Sequence, residues 1–167
     1  KGIEDAINAV ESVNAHFGRT VYTLDIFGQV DVEYKERFSQ LKKSFPDYIR
    51  YGGAIEANKN VEMLKSYFAL LFPTYYKGEG FAGTLIDAMS AGVPVIASGW
   101  KYNPEFVVPG KTGVIIKNCN AERLAEELIN IAAAPEKWNS MRLSALKESE
   151  KYKPDIAARP LIDRING

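Results

Sequence analysis

Apolar residues recur along this chain in two patterns, one helical and one extended. Short runs rich in strand-forming residues alternate with longer stretches whose apolar residues fall three or four positions apart. The runs predict strands at 21–27, 48–51, 69–72, 93–98 and 114–117. The stretches predict helices at 3–17, 34–45, 60–67, 80–91, 121–134, 136–152 and 156–165. Strands and helices are therefore expected to alternate from one end of the chain to the other.

The strands predicted near the middle of the chain are apolar throughout, as in the runs that begin at Ala69 and Val93. Strands of this kind are typical of a parallel sheet that is buried on both faces. The pattern predicts an α/β fold, a Rossmann-like parallel sheet with helices on both faces. Such a unit normally starts with its central strand, whereas this chain starts on a helix. A first strand ahead of Lys1 is therefore expected to be missing.

Composition restricts the classes of function. The 167 residues suit one domain, and the 21 basic and 21 acidic residues cancel, so no overall field attracts nucleic acid. One cysteine, Cys119, and one histidine, His16, form neither a disulfide framework nor a Cys/His zinc site. No apolar run approaches the ~20 residues of a membrane span. We expect a cytoplasmic protein, with any contact to the inner face of a membrane made through another domain.

The segment from Phe72 to Asp87 joins a predicted strand to a predicted helix through a glycine-rich loop. Free amides and the helix dipole make such a junction suitable for a phosphate group. Asp87 lies one turn into the helix and can reach back toward the same place, where its carboxylate would accept from ribose hydroxyls. The candidate phosphate-binding amides are those of Gly80, Phe81, Ala82 and Gly83.

Glu79 precedes this predicted helix and has two interpretations. Its carboxylate can take hydrogen bonds from sugar hydroxyls or stabilise positive charge at an anomeric carbon. Alternatively, it only complements the positive end of the helix, since acidic residues are common there.

The longer segment from Phe72 to Lys117 resembles the donor-site segment of the retaining, GT-B-fold glycosyltransferases of family 4. The resemblance rests on Glu79-Gly-Phe-Ala82 and on Asp87-Ala-Met-Ser-Ala-Gly-Val-Pro-Val-Ile-Ala-Ser98. It continues in Pro104-Glu-Phe-Val107 and in Gly110-Lys-Thr-Gly113. Lys1-Gly2 resembles the Lys-Gly pair that opens the first helix of the family's C-terminal, donor-binding domain.

The resemblance implies a role for each site residue. Glu79 would contact the donor sugar as the catalytic carboxylate, and Asp87 would bind the ribose. Lys1 and the amides of Gly80 to Gly83 would bind the diphosphate, with Lys1 offsetting the charge of the leaving group. The sequence departs from the family at Asp87, where a Glu is usual, and at Ala82, where a Gly is common. The family's diphosphate-binding Arg would lie before residue 1.

The resemblance also implies an activity. Residues 1–167 would bind a nucleoside diphosphate sugar, while an acceptor-binding domain ahead of Lys1 would hold a glycan or a lipid-linked acceptor. Transfer would retain the anomeric configuration and serve polysaccharide or glycoconjugate synthesis. No Asp-x-Asp pair occurs, so we expect no metal and no cofactor other than the donor. The domain alone is expected to be inactive.

The amino-acid sequence leaves two alternatives open. The segment Gly78-Glu-Gly-Phe-Ala-Gly83 also fits the G-x-G-x-x-G fingerprint of NAD-binding Rossmann domains, although the expected acidic residue after the next strand is lacking. A non-catalytic module that only binds a nucleotide sugar is the other alternative. The aromatic residues of the loops either stack on a ligand or pack over the core edge. These are Tyr75, Tyr76, Trp100 and Tyr102.

Overall fold

The computed structural model describes residues 1–166 and confirms the alternation of strands and helices. The strands are β1 (Leu24–Phe27), β2 (Ile49–Gly53), β3 (Leu70–Phe72), β4 (Val95–Ser98) and β5 (Gly113–Ile116). The helices are α1 (Ile3–Phe17), α2 (Lys35–Lys43), α3 (Asn60–Leu64), α4 (Gly83–Ser90), α5 (Asn103–Phe106), α6 (Ala121–Ala133), α7 (Pro135–Ser149), α8 (Pro154–Ala157) and α9 (Arg159–Asn166). Short 3-10 turns precede α2 and α3 and follow α7.

Some predicted boundaries were wrong, and local chemistry explains two of them. The helix predicted at 80–91 begins only at Gly83, because Ala82 adopts a non-helical conformation with ψ of 85°. The helix predicted at 156–165 is divided into α8 and α9. Pro160 lacks the amide that would continue the hydrogen-bond ladder, so the helix ends and restarts.

The five strands form two parallel sheets. One contains β1 and β2, and the other has the order β3, β4, β5. In the larger sheet Leu70 pairs with Val95, which in turn pairs with Gly113. Strand β4 is central and buried at every residue. Strand β1 is an edge of the smaller sheet, and β3 is an edge of the larger one.

Helix α1 joins the hydrophobic core to the start of β1. Ala9, Val10 and Val13 pack in one cluster with Ile96 of β4 and Leu124 of α6. Burying such side chains contributes about 1.5–3 kcal/mol each. Asn14 is a polar residue on the same buried face of α1, and its side-chain amide forms hydrogen bonds with the backbone that follows the helix. Its Oδ1 accepts from the amides of Val21 and Tyr22, and its Nδ2 donates to the Tyr22 carbonyl at 2.9 Å.

The start of α1 lies against the end of β3. Gly2 is buried with φ of 75°, and a Cβ at this position would stand 2.0 Å from the carbonyl oxygen of Pro73. Only glycine permits both this backbone conformation and this approach. The contact fixes Lys1 at the carboxyl end of β3.

The two sheets are also connected through Asp25 of β1. Its Oδ2 accepts from the hydroxyl of Tyr67 at 2.8 Å, and Arg50 of β2 donates to both carboxylate oxygens at 2.8 and 3.0 Å. The guanidinium of Arg50 holds the pKa of Asp25 below its ordinary value despite partial burial. Burial and the Asp25 carboxylate raise the pKa of Tyr67 to about 12.

We expect the ion pair of Asp25 and Arg50 to make the free energy of unfolding depend on pH in the acid range. Because the pKa of Asp25 is depressed in the folded state, its contribution is present above the unfolded value and is lost as the pH falls through the folded value. The free energy of unfolding of the Asp25→Asn variant should therefore lie below that of the parent near neutral pH and converge with it under acid. Urea titrations at several pH values measure this, and a constant difference would contradict it.

Candidate functional site

The candidate site lies at the carboxyl ends of β3 and β4, where loop 73–82 leads into α4. Ligands of open parallel sheets bind at this edge of the strands. The loop is anchored rather than loose, since Thr74 is completely buried and Glu79 is only 9% exposed.

Glu79 is held by two partners. Lys1 Nζ lies 3.1 Å from its Oε1 and 2.9 Å from its Oε2, and the hydroxyl of Thr74 donates to Oε2 at 2.9 Å. A buried carboxylate requires such compensation, and hydrogen bonds from charged donors are the strong ones. The structure therefore brings together two residues, Lys1 and Glu79, that are 78 positions apart in the sequence.

Thr74 belongs to a polar network that the sequence did not reveal. Its hydroxyl accepts from the amide of Tyr76 at 3.2 Å, and its carbonyl accepts from the hydroxyl of Ser98 at the end of β4. The buried amide of Asn103 donates to the Ser98 carbonyl at 3.1 Å. Because the members of this network are buried, Glu79 is positioned by the end of the sheet and not by the loop alone.

Lys1 differs from its partner in exposure. Its side chain is 59% exposed, and Nζ lies 5.2 Å from the centre of the Tyr76 ring. A cation over the face of a tyrosine gains a further 0.5–1 kcal/mol or so at an exposed site. The ammonium thus has one buried carboxylate on one side and solvent on the other, where an anion can reach it.

The start of α4 and the loop before it carry the residues of the predicted phosphate site. Gly80 and Gly83 are exposed, and no side chain caps the helix. The Gly83 amide, however, donates to the Phe81 carbonyl at 3.2 Å, and the Leu85 amide donates to the Ala82 carbonyl at 2.9 Å. Of the four predicted phosphate-binding amides, from Gly80 to Gly83, that of Gly83 is thus already hydrogen-bonded within the loop.

The side chains between these glycines point to different surroundings. Phe81 is 68% exposed and meets the ring of Phe106 edge-on, with 5.2 Å between centroids. Ala82 is buried in the cluster that includes Leu85 and Val95. Ala82 stands where the family that the sequence resembles commonly has a glycine, and its methyl group packs among apolar side chains.

Asp87 lies on α4, one turn beyond Gly83, and is half-buried. Its Oδ2 accepts from the side-chain amide of Asn60 at 3.1 Å. Asn60 begins α3, and the sequence indicated nothing beyond a helix start there. The structure places Asp87 on the predicted face, but its one side-chain bond is to Asn60 and not to the pair formed by Lys1 and Glu79.

The loop aromatics surround the same edge. Tyr75, Tyr76 and Tyr102 are each more than half exposed. Trp100 instead donates its indole N–H to the Tyr76 carbonyl at 2.8 Å, which connects the loop after β4 to the loop after β3. Trp100 thus has a structural contact, while the role of the three tyrosines stays a prediction.

Cys119 and His16 lie apart from this site in the fold. Cys119 packs against the cluster that α1 forms with α6, whereas His16 is exposed near the end of α1. Burial, and secondarily the charge of Asp5, raises the pKa of the Cys119 thiol to about 11. The thiolate is the reactive form, so this environment opposes a nucleophilic role.

The raised pKa yields a direct expectation. From an ordinary value of 9.0 to about 11, the thiolate fraction at neutral pH falls ~100-fold. Iodoacetamide should therefore alkylate native Cys119 about two orders of magnitude more slowly than it alkylates the urea-unfolded chain. Mass spectrometry of timed samples measures both rates, and equal rates would contradict the assignment.

Within residues 1–166, no three His, Cys, Asp or Glu side chains are grouped so as to hold a metal ion. None of the described helices combines the length and apolar character needed to cross a bilayer.

Comparison with known proteins identifies the family. The family model described as glycosyl transferases group 1 matches residues 1–148. The chain belongs to this family. Group 1 membership favours the glycosyltransferase interpretation of the glycine-rich loop over the NAD-binding one, and it accounts for the resemblance of the segment that contains Glu79 and Asp87.

Relatives and solved structures agree with this assignment. The uncharacterized glycosyltransferase MJ1069 of Methanocaldococcus jannaschii is 24% identical over 135 residues, which are 78% of this chain and 33% of that protein. Anabaena Alr3699/HepE, solved in complex with UDP and glucose, superposes with a TM-score of 0.81 at 15% identity, over 100% of this chain and 45% of that one. The pneumococcal O-GlcNAc transferase GtfA, solved with UDP and GlcNAc, gives 0.77 at 20% identity, over 99% and 33%.

These structural neighbours are GT-B glycosyltransferases, so the fold of this group 1 chain is theirs. The chain spans a third or less of the curated relatives that it matches first.

Proposed function

We propose that this chain is the donor-binding domain of a retaining family 4 glycosyltransferase. It binds a nucleoside diphosphate sugar at the carboxyl ends of β3 and β4. The sugar passes to a glycan or lipid-linked acceptor held by an N-terminal domain of the same protein. Neither a metal ion nor a separate cofactor takes part, and the reaction serves polysaccharide or glycoconjugate synthesis in the cytoplasm, in some cases at the inner face of the membrane.

The observation that carries the proposal is the pair formed by Lys1 and the buried Glu79 beside the start of α4. The pair places one cation and one carboxylate next to exposed backbone of a glycine-rich loop. A donor at this edge presents two kinds of charge. Its diphosphate is negative from the beginning, and its anomeric carbon becomes positive as the glycosidic bond breaks.

Lys1 is the residue that suits the diphosphate. Its ammonium is exposed on the side away from Glu79, so a phosphate oxygen can approach without displacing the carboxylate. The exposed backbone at Gly80 adds an amide donor that carries no side chain in the way. Together with the dipole of α4, these groups stabilise the leaving nucleoside diphosphate without a bound metal ion.

Glu79 is suited to the reacting end of the donor. Thr74 and Lys1 hold both carboxylate oxygens at fixed places, so the charge is organised before a donor arrives. Stabilisation of this kind acts on the transition state because it costs no reorganisation during the reaction.

Asp87 and Asn60 suit the nucleoside. The amide of Asn60 occupies Oδ2 of Asp87 and orients the carboxylate, while the remaining lone pairs can accept from the two hydroxyls of a ribose. Because Asp87 is one methylene shorter than the usual Glu, the hydrogen bond from Asn60 helps to define where the shorter side chain ends.

A binding panel tests the donor site. Thermal unfolding of the chain is followed with uridine, guanosine and adenosine diphosphates, their sugars, and the matching nucleosides. One diphosphate should raise the midpoint, with stabilisation of about 2.7 kcal/mol at a hundredfold excess over its Kd. The nucleoside alone should raise it less. A flat response to every compound in a polypeptide that also carries the acceptor domain would refute the donor site.

Matched variants separate Lys1 from general charge effects. Lys1→Met should reduce the midpoint shift given by the diphosphate but not that given by the nucleoside, because only the diphosphate faces the ammonium. Lys35→Met, which removes an exposed lysine from α2, should leave both shifts unchanged. Loss of binding on addition of a chelator would overturn the metal-independent form of the proposal.

Turnover decides between the enzyme and a module that only binds. In a polypeptide that also carries the acceptor-binding domain, the anomeric configuration of the product is determined by nuclear magnetic resonance. Retention supports the proposal, and inversion contradicts it. Tight donor binding without transfer to any glycan or lipid-linked acceptor would instead support the module.

A further inference from the structure

The loop that carries Glu79 is joined to the loop after β4 at two consecutive positions. The indole N–H of Trp100 donates to the Tyr76 carbonyl at 2.8 Å, and the ammonium of Lys101 donates to the Lys77 carbonyl. Trp100 and Lys101 are here called the clasp. Because adjacent donors meet adjacent acceptors, the clasp restrains both the position and the direction of the backbone just ahead of Glu79.

The clasp reaches Glu79 through a single carbonyl oxygen. The Tyr76 carbonyl accepts from Trp100 and also from the backbone amide of Glu79, which lies 3.0 Å away. A carbonyl oxygen has two lone pairs and can accept both bonds at once. Thr74 holds the other end of the same residue, where its hydroxyl donates to Oε2. Glu79 is thus restrained at its backbone by the clasp and at its carboxylate by Thr74.

Tyr76 is the point at which the clasp meets the ion pair of Lys1 and Glu79. Its ring lies over Gly78, where a Cβ would stand 2.6 Å from a ring carbon, and the ammonium of Lys1 lies 5.2 Å from the ring centre. A larger residue at Gly78 would displace the ring. A displacement of Tyr76 therefore changes the surroundings of both charges, and the hydrogen bond from Trp100 opposes such a displacement.

The clasp is built on the end of β4 and not on the exposed loop. The amide of Gly99 donates to the Ile116 carbonyl of β5 at 2.9 Å, and the amide of Asn103 donates to the Trp100 carbonyl at 3.1 Å. Asn103 is itself buried at the start of α5. The sheet therefore places the two donors, and the donors place the exposed residues 75–78.

The backbone of Lys101 shows that this arrangement is maintained against a local preference. Its φ is 45°, in the left-handed region that residues with a Cβ rarely adopt. Glycine would take this conformation without strain, but it has no side chain that could reach the Lys77 carbonyl. Backbone strain of this kind persists only where the surroundings maintain it, and it is concentrated near functional sites. The strain and the hydrogen bond together indicate a role for the Lys101 side chain.

We propose that Trp100 and Lys101 are positioning residues for Glu79. The clasp holds the loop in the conformation in which the Glu79 carboxylate lies at the reacting end of the donor. Neither residue of the clasp touches the donor, so its loss should lower kcat and change donor affinity much less. Asp87 on α4 and Lys1 ahead of α1 lie outside the loop and continue to bind the donor. The role of the clasp rests on the proposed function of Glu79.

Amide hydrogen exchange tests the contact without a donor. In a polypeptide that also carries the acceptor-binding domain, Trp100→Phe keeps an aromatic ring but removes the indole N–H. Exchange at the Glu79 amide should become at least ~10-fold faster, while exchange at the Val95 amide of β4 should not change by that factor. Trp138→Phe is the matched control, because it removes an indole bond to the Phe68 carbonyl at 3.0 Å and should leave exchange at Glu79 unchanged.

Turnover tests the positioning, and it is measured as release of nucleoside diphosphate from the sugar donor of the binding panel that shifts the unfolding midpoint most. Trp100→Phe and Lys101→Met should each lower kcat by at least ~10-fold and change the donor Kd by less than ~3-fold. Lys101→Arg keeps a charged donor and should retain most of the turnover, whereas Lys101→Gly relieves the strain without a donor and should not. Lys137→Met, which removes an exposed lysine from α7, is the matched control.

Three results would overturn the positioning role. Unchanged exchange at the Glu79 amide would show that the clasp does not hold the loop, and equal acceleration at Val95 would show only a general loss of stability. Faster exchange with unchanged kcat would leave the clasp a structural contact. If Trp100→Phe does not fold, Lys101→Met provides the same two measurements. A parent without turnover would instead refute the proposed function, and the catalytic role of the clasp with it, whatever the exchange experiment shows.

Discussion

Replacing Glu79 by Gln should lower turnover by about 10²-fold or more in a polypeptide that also carries the acceptor-binding domain. The reason is that Glu79 is a buried, prepositioned negative charge beside the expected anomeric carbon. Removing one group of a preorganised electrostatic site typically costs 10²–10³ or so in kcat. Donor affinity should change much less, because the positive charge is present only in the transition state.

Steady-state kinetics and the donor Kd, measured on the same preparation, separate these effects. Glu105→Gln removes an exposed carboxylate from α5 and serves as the matched control. Thr74→Val, which deletes the second partner of Glu79 but keeps the charge, should lie between the parent and Glu79→Gln. Unchanged turnover in folded Glu79→Gln would reduce Glu79 to a charge that complements a helix end.

Asp87→Asn should weaken nucleoside diphosphate and intact donor to the same extent. A hydrogen bond to a charged acceptor contributes about 1–3 kcal/mol, which corresponds to roughly 5- to 150-fold in Kd. Asp87 lies one turn beyond the start of α4, away from the pair formed by Lys1 and Glu79. The reaction rate at saturating donor should therefore remain near that of the parent.

Calorimetric titration with the diphosphate and with the intact donor measures both affinities. Asn60→Ala should reproduce part of the loss, because it removes the donor that orients Asp87 without removing the carboxylate. Asp47→Asn removes an exposed carboxylate and should change neither Kd. A loss of affinity confined to the intact donor would contradict the ribose contact and would instead place Asp87 near the donor sugar.

The alternation of elements was predictable because it depends on local patterns. Each of the five predicted strands appears, and the helix from Ile3 to Phe17 with Gly18 after it is reproduced residue by residue. Apolar periodicity and a glycine in the left-handed conformation are sufficient for such a helix. The start of α4 was not predictable to the residue, since Gly80 to Ala82 carry no signal that distinguishes a loop from a first turn.

The candidate site was predictable only as separate residues. The sequence indicated Lys1, Glu79 and Asp87, but not that Lys1 and Glu79 form an ion pair. The positions of Thr74, Ser98 and Asn103 behind Glu79 result from the meeting of two strand ends. Neighbours of this kind are set by tertiary structure, and no spacing in the sequence encodes them.

The contact of Gly2 with Pro73 makes the beginning of α1 a reporter of the proposed donor site. Gly2 packs directly against Pro73, so the backbone that carries Lys1 joins the loop to the first turn of α1. We expect a ligand that engages the ammonium of Lys1 to restrain that turn, and by linkage a change that loosens the turn should weaken binding of the ligand. A fluorophore on Asn8, which is exposed on the same helix, would thus detect occupancy of a site it does not touch.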